Sequence, residues 1–166
     1  MATRTDLTLV DTNVLVFSFY QDRPEHRACA ALRDRAQQDD AALCIAPQNV
    51  AEFYAVVTNP RRVSAPFTAS DALTEIEKLL SLPGLTLLSV PPDAVQRLAD
   101  LLRRRPVTGH KVYDLQLIAT MLGNGVRRIY THNTSDFTPF AELEVLTPPE
   151  PAAAEPMSGG PDAPVA

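Results

Sequence analysis

Residues 7–19 read LTLVDTNVLVFSF: a short apolar run of strand length, residues 7–10, that stops at Asp11. The same pattern repeats along the chain. Apolar runs over 43–46, 85–90 and 126–131, with a shorter one over 144–147, alternate with stretches of helical spacing over 24–38, 68–82, 92–104 and 111–122. After the second run, Pro47 suits the first turn of a helix, and Val50, Phe53, Tyr54 and Val57 continue it at helical spacing. Thr68 is placed to cap the next helix, with Asp71 in its first turn. Strands that are apolar throughout leave no face for solvent. Alternating with helices, they argue for an α/β fold: a central parallel β-sheet flanked by helices on both faces. In such a sheet ligands bind beyond the carboxyl ends of the strands.

The 166 residues suffice for one domain with a stable core, plus a tail. Composition shifts near Thr147. Residues 148–166, PPEPAAAEPMSGGPDAPVA, hold six of the 15 prolines and no Lys, Arg or aromatic residue. Little there buries apolar surface against the entropy of ordering, so the expected organisation is a domain over 1–147 and a disordered Pro/Ala/Gly-rich acidic tail over 148–166. The net charge of −5 excludes a protein that coats nucleic acid by cationic surplus. It does not exclude an enzyme that reaches nucleic acid through a metal ion and a few arginines. Cys29 and Cys44 build no disulfide framework and match no zinc spacing. No apolar stretch approaches the roughly 20 residues of a membrane span, and residues 1–6 are polar, unlike a secretion signal. A cytoplasmic protein without a membrane partner is expected.

Acids follow the strands. The first run ends in Asp11, the second leads into a helix carrying Glu52, Asp114 opens the helix before the fourth, and the fourth runs into THNTSDF with Asp136. Each has an ordinary reading alone: Asp11 with Thr12 and Asn13 as a turn, Glu52 on a solvated helix face, Asp114 as a first-turn acid, Asp136 as a turn cap. Four of them on one sheet edge would repel unless a cation neutralised them. Clustered carboxylates select hard divalent ions, Mg²⁺ or Mn²⁺, over zinc.

Three segments in order, LVDTNVLVFSF (9–19), APQNVAEFYAVVTNPRR (46–62) and GHKVYDLQLIATMLGNGVRRIYTHNTSDF (109–137), resemble a PIN domain. The likeness is closest to the VapC-type toxins of bacterial type II toxin–antitoxin pairs. The resemblance implies a PIN-like fold and a Mg²⁺-dependent endoribonuclease, with Mn²⁺ able to substitute. It matches Asp11, Glu52 and Asp114 to the family's acidic triad. Asp11 and Asp114 would be the direct metal ligands, and Glu52 would act through a water or hold a second ion. The fourth acidic place falls on Asp136, with Asn133 the alternative; Thr12 and Thr131 would donate to the acids. The resemblance also implies an RNA substrate, a cognate antitoxin that blocks the site, a homodimer, and a toxin–antitoxin hetero-oligomer.

The chemistry agrees with that reading. Phosphodiester hydrolysis needs an activated water and charge neutralisation at the phosphate, which divalent ions between carboxylates supply without a histidine or lysine base. His26, His110 and His132 share no paired spacing. Arg61, Arg62 and Lys111 are candidate RNA contacts, arginine being suited to bidentate phosphate binding, whereas residues 103–105 read as a cationic helix end. A PIN ribonuclease of RNA processing or turnover without an antitoxin, and a non-cleaving PIN-like binding module, are the alternatives. A phosphoacceptor receiver is disfavoured because residues 126–131 lack the lysine it needs.

Overall fold

The computed structural model describes residues 6–152. Five strands form one all-parallel sheet: β1 (Thr8–Val10), β2 (Leu43–Ile45), β3 (Leu85–Leu87), β4 (Arg128–Tyr130) and β5 (Glu144–Leu146), in the order β3-β2-β1-β4-β5. The chain therefore steps from β1 outward to β3, then returns to the other side of β1 for β4 and β5. Its direction reverses between β1 and β4, and there an open α/β sheet leaves a crevice at its carboxyl edge.

That reversal also sorts the helices. Right-handed crossovers put helices on one face while the chain moves one way and on the other after it turns back. The helices α1 (Thr12–Phe17), α2 (His26–Arg35), α3 (Pro47–Val57) and α4 (Ala69–Leu80) share one core with Val10, Leu43 and Ile45. The second core joins Leu9, Cys44 and Ile129 to α5 (Ala94–Arg104), α6 (Val112–Gly123) and α7 (Thr134–Phe137). Neighbouring strand residues thus serve opposite cores, which is why β1 and β2 read as continuous apolar runs.

Three departures from the sequence expectations have physical causes. The sequence predicts only a turn at Asp11, whereas α1 is a helix of six residues, too short to display a period. β3 stops at Leu87 rather than reaching Val90, and as an edge strand it leaves Leu87 48% exposed, so it is not apolar-buried like β1. The short α7 spans the segment that reads as a turn, burying Phe137. Elsewhere local chemistry sets the ends. Asn49 Oδ1 accepts the Ala46 N–H at 2.8 Å to start α3, and Gly125 at φ +75° ends α6, letting the Val126 N–H reach Met121 O at 2.9 Å.

Of the segment expected as a tail, residues 148–152 are described. Pro148 is buried, and Arg27 Nη2 donates to the Pro151 carbonyl at 3.5 Å, so this stretch runs beside α2. The expected disorder of the remainder, 153–166, lies outside the described residues. Among the described residues, no helix is long and apolar enough to cross a membrane.

Candidate active site

Asp11 leaves the end of β1 at the crevice, its N–H still bonded to Tyr130 O of β4 at 3.0 Å. Its extended backbone (φ −68°, ψ 155°) makes it the N-cap of α1, and Oδ1 accepts the Thr12 N–H at 2.7 Å. Oδ2 accepts from Thr131 Oγ1 at 2.7 Å and Asn13 Nδ2 at 2.8 Å. Thr131 follows β4 and is wholly buried, so the two strands flanking the switch point are tied together through this carboxylate. Burial nevertheless raises the Asp11 pKa against those three hydrogen bonds, and the charge of Glu52 pushes the same way.

Glu52 comes from α3 on one face of the sheet. Thr12 Oγ1 donates to its Oε2 at 2.9 Å and Gln48 Nε2 to its Oε1 at 2.8 Å. Asn49, fully buried, donates to Thr12 Oγ1 at 3.2 Å and so orients that hydroxyl. Gln48 spends its second N–H on the Tyr113 carbonyl, 2.9 Å away, at the start of α6 on the opposite face. Rotating the amide would set its oxygen against two acceptors, so the chemistry fixes the orientation. Gln48 is therefore a strut between Glu52 and the turn that carries Asp114. Its Oε1 is buried without a partner among the described residues.

Asp114 differs from both. Among the described residues no donor reaches its carboxylate, and its pKa is pushed up to about 6, by burial first and then by the charges of Asp136, Asp11 and Glu52, with Lys111 opposing. Asp11, Glu52 and Asp114 line one cleft of about 490 Å³ together with Thr12, Asn13, Asn133, Phe17, Arg23 and Arg62.

The remaining sequence candidates fall as follows. Asn133 lines that cleft; Asp136 lies across Asp114 in a neighbouring hollow, 3.8 Å from Lys111 Nζ. Arg62 reaches the cleft, whereas Arg61 is an exposed turn residue whose N–H bonds the Asn59 side chain. Sequence reasoning missed Gln48, Asn49, Asn13 and Arg23. The first two lie four and three residues before Glu52, so helical spacing was a usable signal for Gln48; nothing local marked Arg23. Cys29 Sγ also touches His132 Nε2 at 3.3 Å, with the thiol pushed up to about 12, chiefly by burial. It is a neutral packing contact behind the cleft rather than a nucleophile.

Whether these residues suit a divalent ion is a question of donor type and crowding. The donors are carboxylate, hydroxyl and amide oxygens, the set a hard cation takes. Among the described residues no group of three or more His, Cys, Asp or Glu side chains is placed to hold a metal ion together. An open set of this kind suits Mg²⁺, which keeps several waters and binds through one or two carboxylates plus substrate phosphate. Burial first, and neighbouring carboxylates after it, raise the pKa of Asp11 and Asp114, and a cation beside them would favour their charged forms.

Comparison with known proteins agrees with the fold and the segments. A family model of the PIN domain matches residues 8–143. Ribonuclease VapC24 of Mycobacterium tuberculosis is 29% identical over 141 residues, covering 84% of this chain and 94% of that protein. Ribonuclease VapC43 of the same species is 30% identical over 115 residues, 69% of this chain and 78% of the relative. Among solved structures, VapC20 of M. tuberculosis, a sarcin–ricin-loop-cleaving toxin, superposes with a TM-score of 0.59 at 16% identity, covering 82% and 98% of the two chains. VapBC2 of Rickettsia felis, bound to a DNA fragment from its promoter, gives 0.59 at 14% identity over 85% and 98%. At those identities the structures speak for the fold alone; it is the family match along most of the sequence, and the 30% relative, by which this chain belongs to the PIN domain family, on its VapC branch.

Proposed function

We propose that this protein is the toxin of a VapBC-like type II pair: a Mg²⁺-dependent endoribonuclease, with Mn²⁺ able to substitute, that a cognate antitoxin holds in check. The observation that carries the reading is the meeting of Asp11, Glu52 and Asp114 in one cleft at the switch point of a PIN fold. Asp11 and Asp114 would hold the ion. When bound, it supplies charge neutralisation at the attacked phosphate and lowers the pKa of water.

The chain's own groups do the rest. Asp11 is held rigid by Thr12, Asn13 and Thr131, which take both lone pairs of Oδ2 and one of Oδ1, so it presents the one that remains, on Oδ1, in a fixed direction. Asp114, free of donors among the described residues, offers both oxygens. Glu52 gives one lone pair per oxygen to Thr12 and Gln48 and keeps the others to orient the attacking water and take up its proton. The water oxygen bonds to phosphorus as the bond between phosphorus and the ribose oxygen breaks, and that leaving oxygen takes up a proton from solvent. Asn133 fills the neutral fourth place in the cleft, and Asp136 acts from outside through its charge on Asp114.

Purified protein should cut RNA in Mg²⁺ or Mn²⁺ and stop on addition of EDTA. Asp11→Asn and Asp114→Asn should each lose about a hundredfold or more, as removal of transition-state charge stabilisation does. Cleavage at the wild-type rate in either variant refutes the site. Antitoxin pairing and self-association into a homodimer belong to the same reading; co-purification with the product of the adjacent reading frame and the sedimentation mass check them.

A further inference from the structure

Asp114 stands on the divide between two hollows. On one side is the acid cleft; on the other is a hollow of about 420 Å³ lined by Arg105, Thr108, Lys111 and Asp136 beside Asp114 itself. Each side carries two cations. In the acid cleft these are Arg23, between α1 and α2, and Arg62, in the turn after α3. Among the described residues neither is held by a carboxylate: Arg23 lies with its guanidinium 5.4 Å from the centre of the Phe17 ring, and Arg62 makes only a backbone turn bond to Asn59. In the second hollow Arg105 lies 6.0 Å from the centre of Phe140, and Lys111 makes a loose, exposed pair with Asp136 at 3.8 Å.

We propose that an RNA strand crosses Asp114 in extended form, its phosphates on one side of the cut held by Arg23 and Arg62 and on the other by Lys111 and Arg105. The inference rests on the nuclease reading and adds the path of the strand to it. Three carboxylates at the floor repel a polyanion; cations on both sides of the floor, Arg23, Arg62 and Arg105 without a carboxylate partner among the described residues and Lys111 only loosely paired, offset that repulsion where the strand enters and leaves. A guanidinium is a preorganised fork for phosphate oxygens, and the Phe17 and Phe140 faces keep the two outer forks in place without neutralising them. Lys111 gives up little in leaving Asp136, because an exposed pair at that distance contributes almost nothing. A single cationic patch would suit an acidic peptide. Cations straddling the acids suit a chain of phosphates that continues past the scissile bond in both directions.

The test measures binding of a short fluorescein-labelled single-stranded RNA to Glu52→Gln protein in Mg²⁺, by anisotropy across a series of KCl concentrations. Adding Arg23→Ala, Arg62→Ala, Lys111→Ala or Arg105→Ala should weaken binding and flatten the log–log salt dependence by about 0.7 for each phosphate no longer neutralised. Combining Arg23→Ala with Lys111→Ala should flatten it by about twice that, since the two lie on opposite sides. Arg62→Lys should keep the slope, because it keeps the charge. In protein with Glu52 intact, each alanine variant should raise KM by a larger factor than it lowers kcat. If the intact protein cuts RNA but either pair of alanine variants keeps the parent slope and KM, the two-sided path is overturned and those cations belong to a protein partner. If the intact protein cuts no RNA in Mg²⁺, the nuclease reading itself has failed.

Discussion

Replacing Asp114 by Asn should stabilise the metal-free protein near neutral pH. The folded state raises this carboxyl from an ordinary 3.8 to about 6 because it is half-buried, receives no hydrogen bond among the described residues, and faces Asp136, Asp11 and Glu52. Taken at face value that rise is a cost of about 3 kcal/mol to the charged form. Solvent reaches part of the group and screens it, so about 1 kcal/mol is the figure to expect. The direction follows from proton counting. Below pH 3.8 the carboxyl is protonated in both states and the cost is absent. Between 3.8 and 6 the folded state binds more protons than the unfolded one, so stability falls as pH rises; above 6 the loss is complete and constant. Asp114→Asn should therefore melt about 2–4 °C above wild type at pH 7 in EDTA, and the gain should vanish near pH 4. Millimolar Mg²⁺ should reverse the order, stabilising wild type by mass action and the variant much less. The measurement is a set of thermal melts at several pH values with EDTA or Mg²⁺. The opposite sign is physically available: Asp114 lies in the first turn of α6, where a lone carboxylate favours the helix by about 0.3–1 kcal/mol. If Asp114→Asn melts below wild type in EDTA at pH 7, and the two respond alike to Mg²⁺, the acids do not act on one another as one site.

Three other substitutions probe the supports. Gln48→Met keeps the length of the strut but removes both donors, so kcat should fall at unchanged KM for RNA while the melting temperature moves by only a few degrees; a lowered melt with intact kcat would mean that Gln48 only packs. Thr131→Val deletes the buried hydroxyl that donates to Asp11 and accepts from the Asn133 N–H; leaving these groups unpaired should cost about 1–3 kcal/mol in denaturant unfolding, together with activity. Gly84→Ala would drive a methyl into the Gln38 carbonyl and Ala41, far from the site; it should cost about 1–3 kcal/mol with kcat unchanged, and a neutral melt would show that the turn before β3 yields freely.

The order of elements was legible because it rests on local rules. Apolar runs at 7–10 and 43–46 announce strands with both faces covered, and Pro47, Thr68 and the periodic apolar residues announce the helices. Acids near the strand ends drew notice to Asp11, Glu52, Asp114 and Asp136 alike, and the resemblance to the PIN domain, not a local rule, matched the first three to one triad. α1 was invisible because six residues do not complete two turns, and β3 was overestimated because an edge strand looks like a buried one until its place in the sheet is known. The relations between segments needed the tertiary structure. Only the reversal of the chain at β1 and β4 sets Thr131 on Asp11 across 120 residues, and only the packing of α3 and α6 on opposite faces lets Gln48 span from Glu52 to the Asp114 turn. Asn133 and Asp136 are three residues apart, yet the turn into α7 sends one to the cleft and the other to the hollow beyond Asp114. Patterning and caps depend on neighbours a few residues away and are written into the chain. Burial, charge coupling and the pairing of donors to acids depend on which distant segments meet, and those terms exist only once the sheet has closed around them.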